Sequence, residues 1–284
     1  MKIPDKLQPL IDDGIVDEVI RALRSGKEAS IYIVRCGDEL RCAKVYKDLR
    51  TRGFQARAQY QEGRRVRSSR QARAMGRSTR FGRKAQETAW KSAEVDALRH
   101  LATAGVRVPE VFGFFDGVLL MELVSDANGE VAPDLGELSL SEELAREYHE
   151  FLIGQIVRML CAGLVHGDLS EYNVLVDAQG PVIIDLPQVV SATGNNNAET
   201  MLMRDVNNIT ATLGRSAPDL LSTRFGEEMW LRFERAELQP DSVLTGEFID
   251  DERSADVEGT LIAIEDAREQ ELLRQAGREA AEEP

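Results

Sequence analysis

Cysteine is scarce: Cys36, Cys42 and Cys161 are the three in 284 residues, an odd number with no C-x-x-C spacing. This excludes a disulfide framework and a cysteine-built zinc site, and makes each a small buried apolar residue by default. No stretch approaches the roughly 18 uninterrupted apolar residues that a membrane span requires. The opening MKIPDKLQPLIDDG also lacks the basic-then-apolar order of a signal peptide, so a cytoplasmic location with no membrane partner is expected. What the chain does have is 43% apolar residues, ample for a packed core of one large domain or two lobes.

Charge is unevenly spread. Between Arg50 and Lys84 twelve Arg/Lys face the single acid Glu62, a local +11 in a chain of net charge −14. From Glu247 onward thirteen Asp/Glu face four Arg, a local −9 that marks an acidic tail. The basic stretch coincides with a loss of hydrophobic pattern over residues 49–86 and is read as a mobile insertion. Its positive charges suit RNA phosphates or a ribosomal particle, although Phe54, Tyr60 and Phe81 are too few to support base stacking strongly. The alternative is a solvated loop that pairs transiently with the acidic tail.

Along the chain, apolar spacing predicts a leading helix over residues 7–23, then paired strands at SIYIVRC and LRCAKVYK joined by a turn at CGDE. A helix from about Glu87 to Ala102 carries Trp90, Glu94, Ala97 or Leu98, and Leu101 on one stripe and stops at Gly105. A carboxylate therefore lies on an apolar face. Three strand-like runs are read in VPEVFGFFDGVLLMELV. A helix from about Ser141 to Ala162 follows, opened by the capping-box spacing Ser139 to Glu142. NVLV and VIID flank the turn DAQG, and residues 199–234 are read as helical. The expected division is a lead-in (1–22), a strand-rich lobe (23–121), a connector (122–136), a helical lobe (137–240) and a tail (241–284). A cleft separates the lobes.

The densest reactive cluster is LVHGDLSEYNVLVDAQGPVIIDLPQ, Leu164 to Gln188. Asp168 and Asn173 lie on a helix-to-strand loop, and Asp185 ends the second strand of a hairpin whose folding returns it beside Asn173. A carboxylate, an amide oxygen and a second carboxylate then converge. Hard divalent cations take oxygen ligands, which suits Asn173 and Asp185, leaving Asp168 to accept a proton. Taken singly, each aspartate reads better as a turn or cap residue; the joint spacing reverses that preference.

H-x-D-x-x-x-x-N followed after a hairpin by I-I-D resembles the catalytic and metal arrangement of protein-kinase-like phosphotransferases. Within that superfamily the chain resembles the RIO family of atypical serine/threonine kinases, the branch without a winged helix in particular. SGKEASIY, CAKVYK, AWKSAEVDALRHLATAG, LLMELV, LVHGDLSEYNVLV, VIIDLPQVV and LMRDVNNI match in order from Leu23 to Ile209. The resemblance implies a two-lobed α+β kinase fold and ATP-dependent phosphotransfer with Mg2+ or Mn2+. It implies Asp168 as catalytic base, Asn173 and Asp185 on the metal, and Lys44 on the α and β phosphates, paired with Glu94. It further implies Ser25, Gly26 and Lys27 as a nucleotide-covering loop, and Met121, Glu122 and Val124 as a hinge for adenine. By the same resemblance, Asp185 would be the position of a phosphoaspartate in an ATPase cycle, and Ser68, Ser69 and Ser78 would be autophosphorylation candidates.

RSGKEAS is not a Walker loop, since Arg21 stands where that pattern needs glycine and Glu28 where it needs Ser or Thr. Gly167 replaces the arginine that ordinary kinases carry before the base, DLPQ replaces Asp-Phe-Gly, and residues 189–199 are too few for a peptide-docking activation segment. These departures put phosphorylation of a separate peptide in doubt. An aminoglycoside- or choline-type small-molecule kinase shares H-G-D-x-x-x-x-N but lacks SGKEA, and a silent ATP-binding module conflicts with an intact residue set. His100 and His149 are read as helix-surface residues, Trp90 and Trp230 as core or interface anchors, His166 as packing the catalytic loop, and Asp205 as bracing it.

Overall fold

Alternation along one strand organises the N-terminal part. The computed structural model of the chain describes residues 3–26, 28–47 and 93–248; the basic insertion with its serines, Lys27, Trp90 and the tail beyond residue 248 lie outside the described residues. Strands β1 (Glu18–Ser25), β2 (Ala29–Cys36), β3 (Glu39–Tyr46), β4 (Val111–Phe115) and β5 (Val118–Glu122) form one antiparallel sheet in the order β1-β2-β3-β5-β4. On β3, Ala43 and Val45 join Val34, Val118 and Leu120 in a cluster capped by Leu7, Leu10 and Val16. Lys44 and Tyr46 therefore project from the opposite face, as a period of two requires. Asp116 and Gly117, with φ of 39° and 87°, make the two-residue mirror turn between β4 and β5 whose twist matches the strands it joins.

Several expectations need correction here. The leading helix is only α1 (Gln8–Asp12), ended by Gly14 at φ 69°, and residues 18–25 are strand, not helix. β1 pairs with β2 through two register shifts, between Val19 and Arg21 and between Ala22 and Arg24, and these bulges disguise its alternation. The segment read as three strands holds two, since residues 106–110 join no ladder.

Helix α2 (93–103) buries Val95, Leu98 and Leu101 in the main core, with Glu94 on the same stripe at 2% exposure. The helical part follows: α3 (Glu142–Cys161), a ribbon of β6 (Leu164–Val165) and β9 (Val190–Ser191), the hairpin β7 (Val174–Asp177) and β8 (Gly180–Ile183), then α4 (Ala198–Leu213) and α5 (Phe225–Glu234). The cap of α3 is Ser141, whose Oγ accepts the Leu144 N–H at 3.2 Å; Ser139 does not cap it. No described helix is long and apolar enough to cross a membrane.

His149 is not a surface residue. It lies on the buried stripe of α3 between Ala145 and Leu152, 2% exposed, with Nε2 2.9 Å from the Thr210 hydroxyl on α4. Burial pulls its imidazole down to about 4. The unfolded chain protonates this group near its ordinary value while the fold keeps it neutral, so its contribution is intact at neutral pH and is lost as pH falls from about 6.5 toward 4. Wild type should lose up to about 3 kcal/mol more than His149→Gln across that window, read as the difference in urea unfolding free energies. Parallel pH profiles for the two proteins would refute the assignment.

Candidate active site

The alternation that hides Ala43 and Val45 aims Lys44 at one carboxylate from α2 and one from the segment after β8. Its Nζ donates to Glu94 Oε1 at 2.6 Å and to Asp185 Oδ1 at 2.7 Å. Burial alone would lower the lysine, but Glu94 and Asp185 reverse this and hold it above its ordinary value, fully charged. Tyr46, next on the same strand face, donates its hydroxyl to Glu94 Oε2. Burial, then the Glu94 charge, raise that phenol, so it acts as a donor and not as a base. Glu94 thus has both oxygens satisfied by two residues of β3, the condition for a buried carboxylate to persist on an apolar stripe. Cys42, on the same face, is pushed up to about 12 by burial and is an inert thiol.

The loop carrying Asp168 is clasped from α4. Asp205, 1% exposed, accepts the Gly167 N–H through Oδ2 at 2.7 Å and the Leu169 N–H through Oδ1 at 2.9 Å. Burial raises this carboxyl, with His166 and the two amides offsetting part of the effect. Arg204 donates to the Gly167 carbonyl, and Asn208 Nδ2 donates to the Leu169 carbonyl at 2.9 Å. His166 adds a tie: Nε2 lies 3.1 Å from the Ile184 carbonyl while Nδ1 accepts the Asp168 N–H at 3.3 Å, which assigns the ring proton to Nε2. Asp168 itself is exposed, and its Oδ2 accepts Gln188 Nε2 at 2.8 Å.

The hairpin performs the return that its sequence suggests. Val174 faces Ile183 across β7 and β8, and one step beyond, the Ile184 N–H donates to the Asn173 carbonyl at 2.9 Å, setting Asp185 next to Asn173. Asn173 Nδ2 donates to the Asp168 carbonyl at 2.9 Å, which leaves its side-chain oxygen as the acceptor for anything bound there. Asp185 sits at φ 63°, a left-handed conformation uncommon outside glycine and held by the buried segments on either side. Burial would raise its carboxyl, but Lys44 outweighs this and keeps it below the ordinary carboxylate value.

Where β1 turns to β2, Lys47 Nζ donates to the Gly26 carbonyl at 2.6 Å and Ser25 Oγ at 3.0 Å, and the Ser25 and Ser30 hydroxyls meet at 3.0 Å. In the connector, the Glu122 N–H donates to the Glu110 carbonyl at 2.8 Å and the Val124 carbonyl accepts the Ala132 N–H at 3.0 Å. Among the described residues the Val124 N–H makes no backbone hydrogen bond.

Lys44 contacts both Glu94 and Asp185, Asn173 is hydrogen-bonded to Asp168, and Ser25 ends β1 with Gly26 directly after it. Sequence reasoning gave no site role to Tyr46, Arg204, Asn208 or Gln188. Tyr46 was legible as the next residue on the Lys44 face, and Arg204 and Asn208 as the i and i+4 neighbours flanking Asp205 on one helix. Gln188 stands in the DLPQ motif, but nothing in that motif pairs it with Asp168.

A five-stranded sheet and a helical part that share a lysine bonded to a carboxylate from each side define the two-lobed protein-kinase-like fold. The comparisons narrow that class: the RIO domain family model (RIO1) matches residues 30–225. The chain is 33% identical to the RIO-type serine/threonine-protein kinase Rio1 of Haloferax volcanii over 216 residues, 74% of this chain and 68% of that protein. It is 32% identical to the Rio1 kinase of Methanocaldococcus jannaschii over 71% of this chain and 65% of that one. To the serine/threonine-protein kinase RIO1 of Homo sapiens it is 31% identical over 76% of this chain, which spans 36% of the human protein. The chain belongs to the RIO family of serine/threonine kinases, and neither a small-molecule kinase nor a silent module is favoured.

Lys44→Met strands the buried Glu94 charge and should cost about 3 kcal/mol of stability in urea unfolding. Lys44→Met/Glu94→Gln removes the charge but keeps an acceptor for Tyr46, and most of that loss should return. A double variant no more stable than the single one would show that the two charges are uncoupled.

Proposed function

We propose that this chain transfers the γ-phosphoryl group of ATP to a serine or threonine hydroxyl of a protein. The observation that carries the reading is the Lys44 contact with both Glu94 and Asp185, which joins the phosphate-binding and metal-binding positions of a kinase site in one charge cluster. In this reading Asp168 accepts the proton of the attacking hydroxyl. The hydroxyl oxygen bonds to the γ-phosphorus, the bond to the bridging oxygen breaks, and ADP departs. Lys44, held by Glu94, pairs with the α and β phosphates. Ser25, Gly26 and Lys27 cover them, and Met121, Glu122 and Val124 border adenine, the unbonded Val124 N–H being a donor for the base.

The donor set fits a hard divalent cation: an amide oxygen whose nitrogen is tied away, and a half-exposed carboxylate kept ionised beside it. Asn173 and Asp185 would hold Mg2+, or Mn2+ on the same donors. The ion would neutralise phosphate charge there. The branch without a winged helix, the division into lobes at residues 122–136, autophosphorylation in the 49–86 insertion and RNA or ribosomal binding by its +11 stretch belong to the same proposal.

Incubation with γ-labelled ATP and Mg2+ tests it. Acid-stable label on serine is the expected result, with Asp168→Asn reducing incorporation by roughly a hundredfold or more. Base-labile label confined to Asp185 would instead establish an aspartyl-phosphate ATPase, and absence of any turnover by wild type would overturn the phosphotransferase reading.

A further inference from the structure

Gln188 touches the proposed base from outside every motif that carries the kinase resemblance to ordinary protein kinases. Its Nε2 donates to Asp168 Oδ2 at 2.8 Å, and among the described residues Asp168 Oδ1 accepts no hydrogen bond. The amide orientation is dictated, because an ionised carboxylate only accepts.

The contact follows from the register of a two-stranded ribbon. β6 and β9 pair Leu164 with Ser191 and Val165 with Val190. Asp168 lies three residues after Val165 and Gln188 two before Val190, so the ribbon sets the two segments side by side. Both are anchored. Asp205, Arg204 and Asn208 clasp residues 167–169, while Leu186 is fully buried, Pro187 and Val189 are buried, and the Val189 N–H returns to the Leu186 carbonyl at 3.3 Å. Gln188 is half-buried between fixed neighbours, so its reach to Asp168 is built into the backbone.

We propose that Gln188 is a positioning residue for phosphotransfer: its carboxamide fixes one oxygen of Asp168 so that the other is presented to the hydroxyl whose proton it takes. This rests on the kinase reading above. The choice of glutamine has a chemical reason. A lysine or arginine at this distance would pair with the base and compete for its charge, whereas a neutral N–H orients the carboxylate without a competing cation. The chain carries Ser170 two residues after Asp168, so the base has no cation on its own loop segment 167–173. Gln188 therefore supplies orientation from across the ribbon.

The unsubstituted chain, Gln188→Ala and Gln188→Glu are compared in ATP turnover with Mg2+, alongside thermal shift with Mg-ADP as a check on folding and nucleotide binding. Gln188→Ala should lower kcat about tenfold or more while leaving KM for ATP within about twofold. Gln188→Glu, the same shape but with a carboxylate facing a carboxylate, should fall below alanine. A residue that merely fills space would give the opposite order, with the isosteric glutamate closer to wild type, and that order would overturn the proposal. So would kcat unchanged in both variants, or a loss confined to KM. Wild type without turnover would instead sink the kinase reading itself.

Discussion

A single ammonium group between two carboxylates sets the terms for the rest of this fold. Lys44 is 8% exposed, and a cation so placed survives only if its charge is met on the spot. Glu94 meets it from α2 and Asp185 from the segment after β8, so the lysine ties the sheet to the helical part. Each partner needs its own support. Tyr46 completes the shell of Glu94, and the left-handed backbone at Asp185 turns its carboxylate toward the lysine. The arrangement is costly in desolvation and left-handed backbone, and both costs fall at the three residues Lys44, Glu94 and Asp185.

The loop below that cluster is rigid by a different device. Six residues, 192–197, separate β9 from α4, too few to brace the 167–169 loop from that side. Instead α4 presents Arg204, Asp205 and Asn208 on neighbouring turns, and together they take two N–H groups and two carbonyls of residues 167–169. Burying Asp205 without a counter-charge in direct contact with both oxygens is tolerable because each accepts a backbone amide. The loop's polar groups are satisfied inside the fold, and its aspartate side chain is left outward.

Much of the site was legible because its chemistry is spaced by regular elements. Lys44 and Tyr46 share a strand face, Glu94 interrupts an apolar helical stripe, and NVLV-DAQG-VIID reads as a hairpin that must return Asp185 to Asn173. The misses have equally local causes. β1 looked helical because two bulges break its alternation and an edge strand with one exposed face carries little apolar signal. His149 was read as a surface residue because its partner, Thr210, is 61 positions away, and only that contact makes its burial affordable. Ser139 and Ser141 are two identical residues competing for one cap, separable only by backbone conformation.

The amino-acid sequence by itself determined the family and the identity of the reactive residues, since these depend on side-chain type and short-range spacing. Tertiary structure decided which partners each charge has. The double engagement of Lys44, the clasp of α4 on the 167–169 loop and the reach of Gln188 to Asp168 join residues 20 to 141 positions apart. Hydrogen-bond geometry at such separations follows from strand register and core packing, which no local pattern encodes.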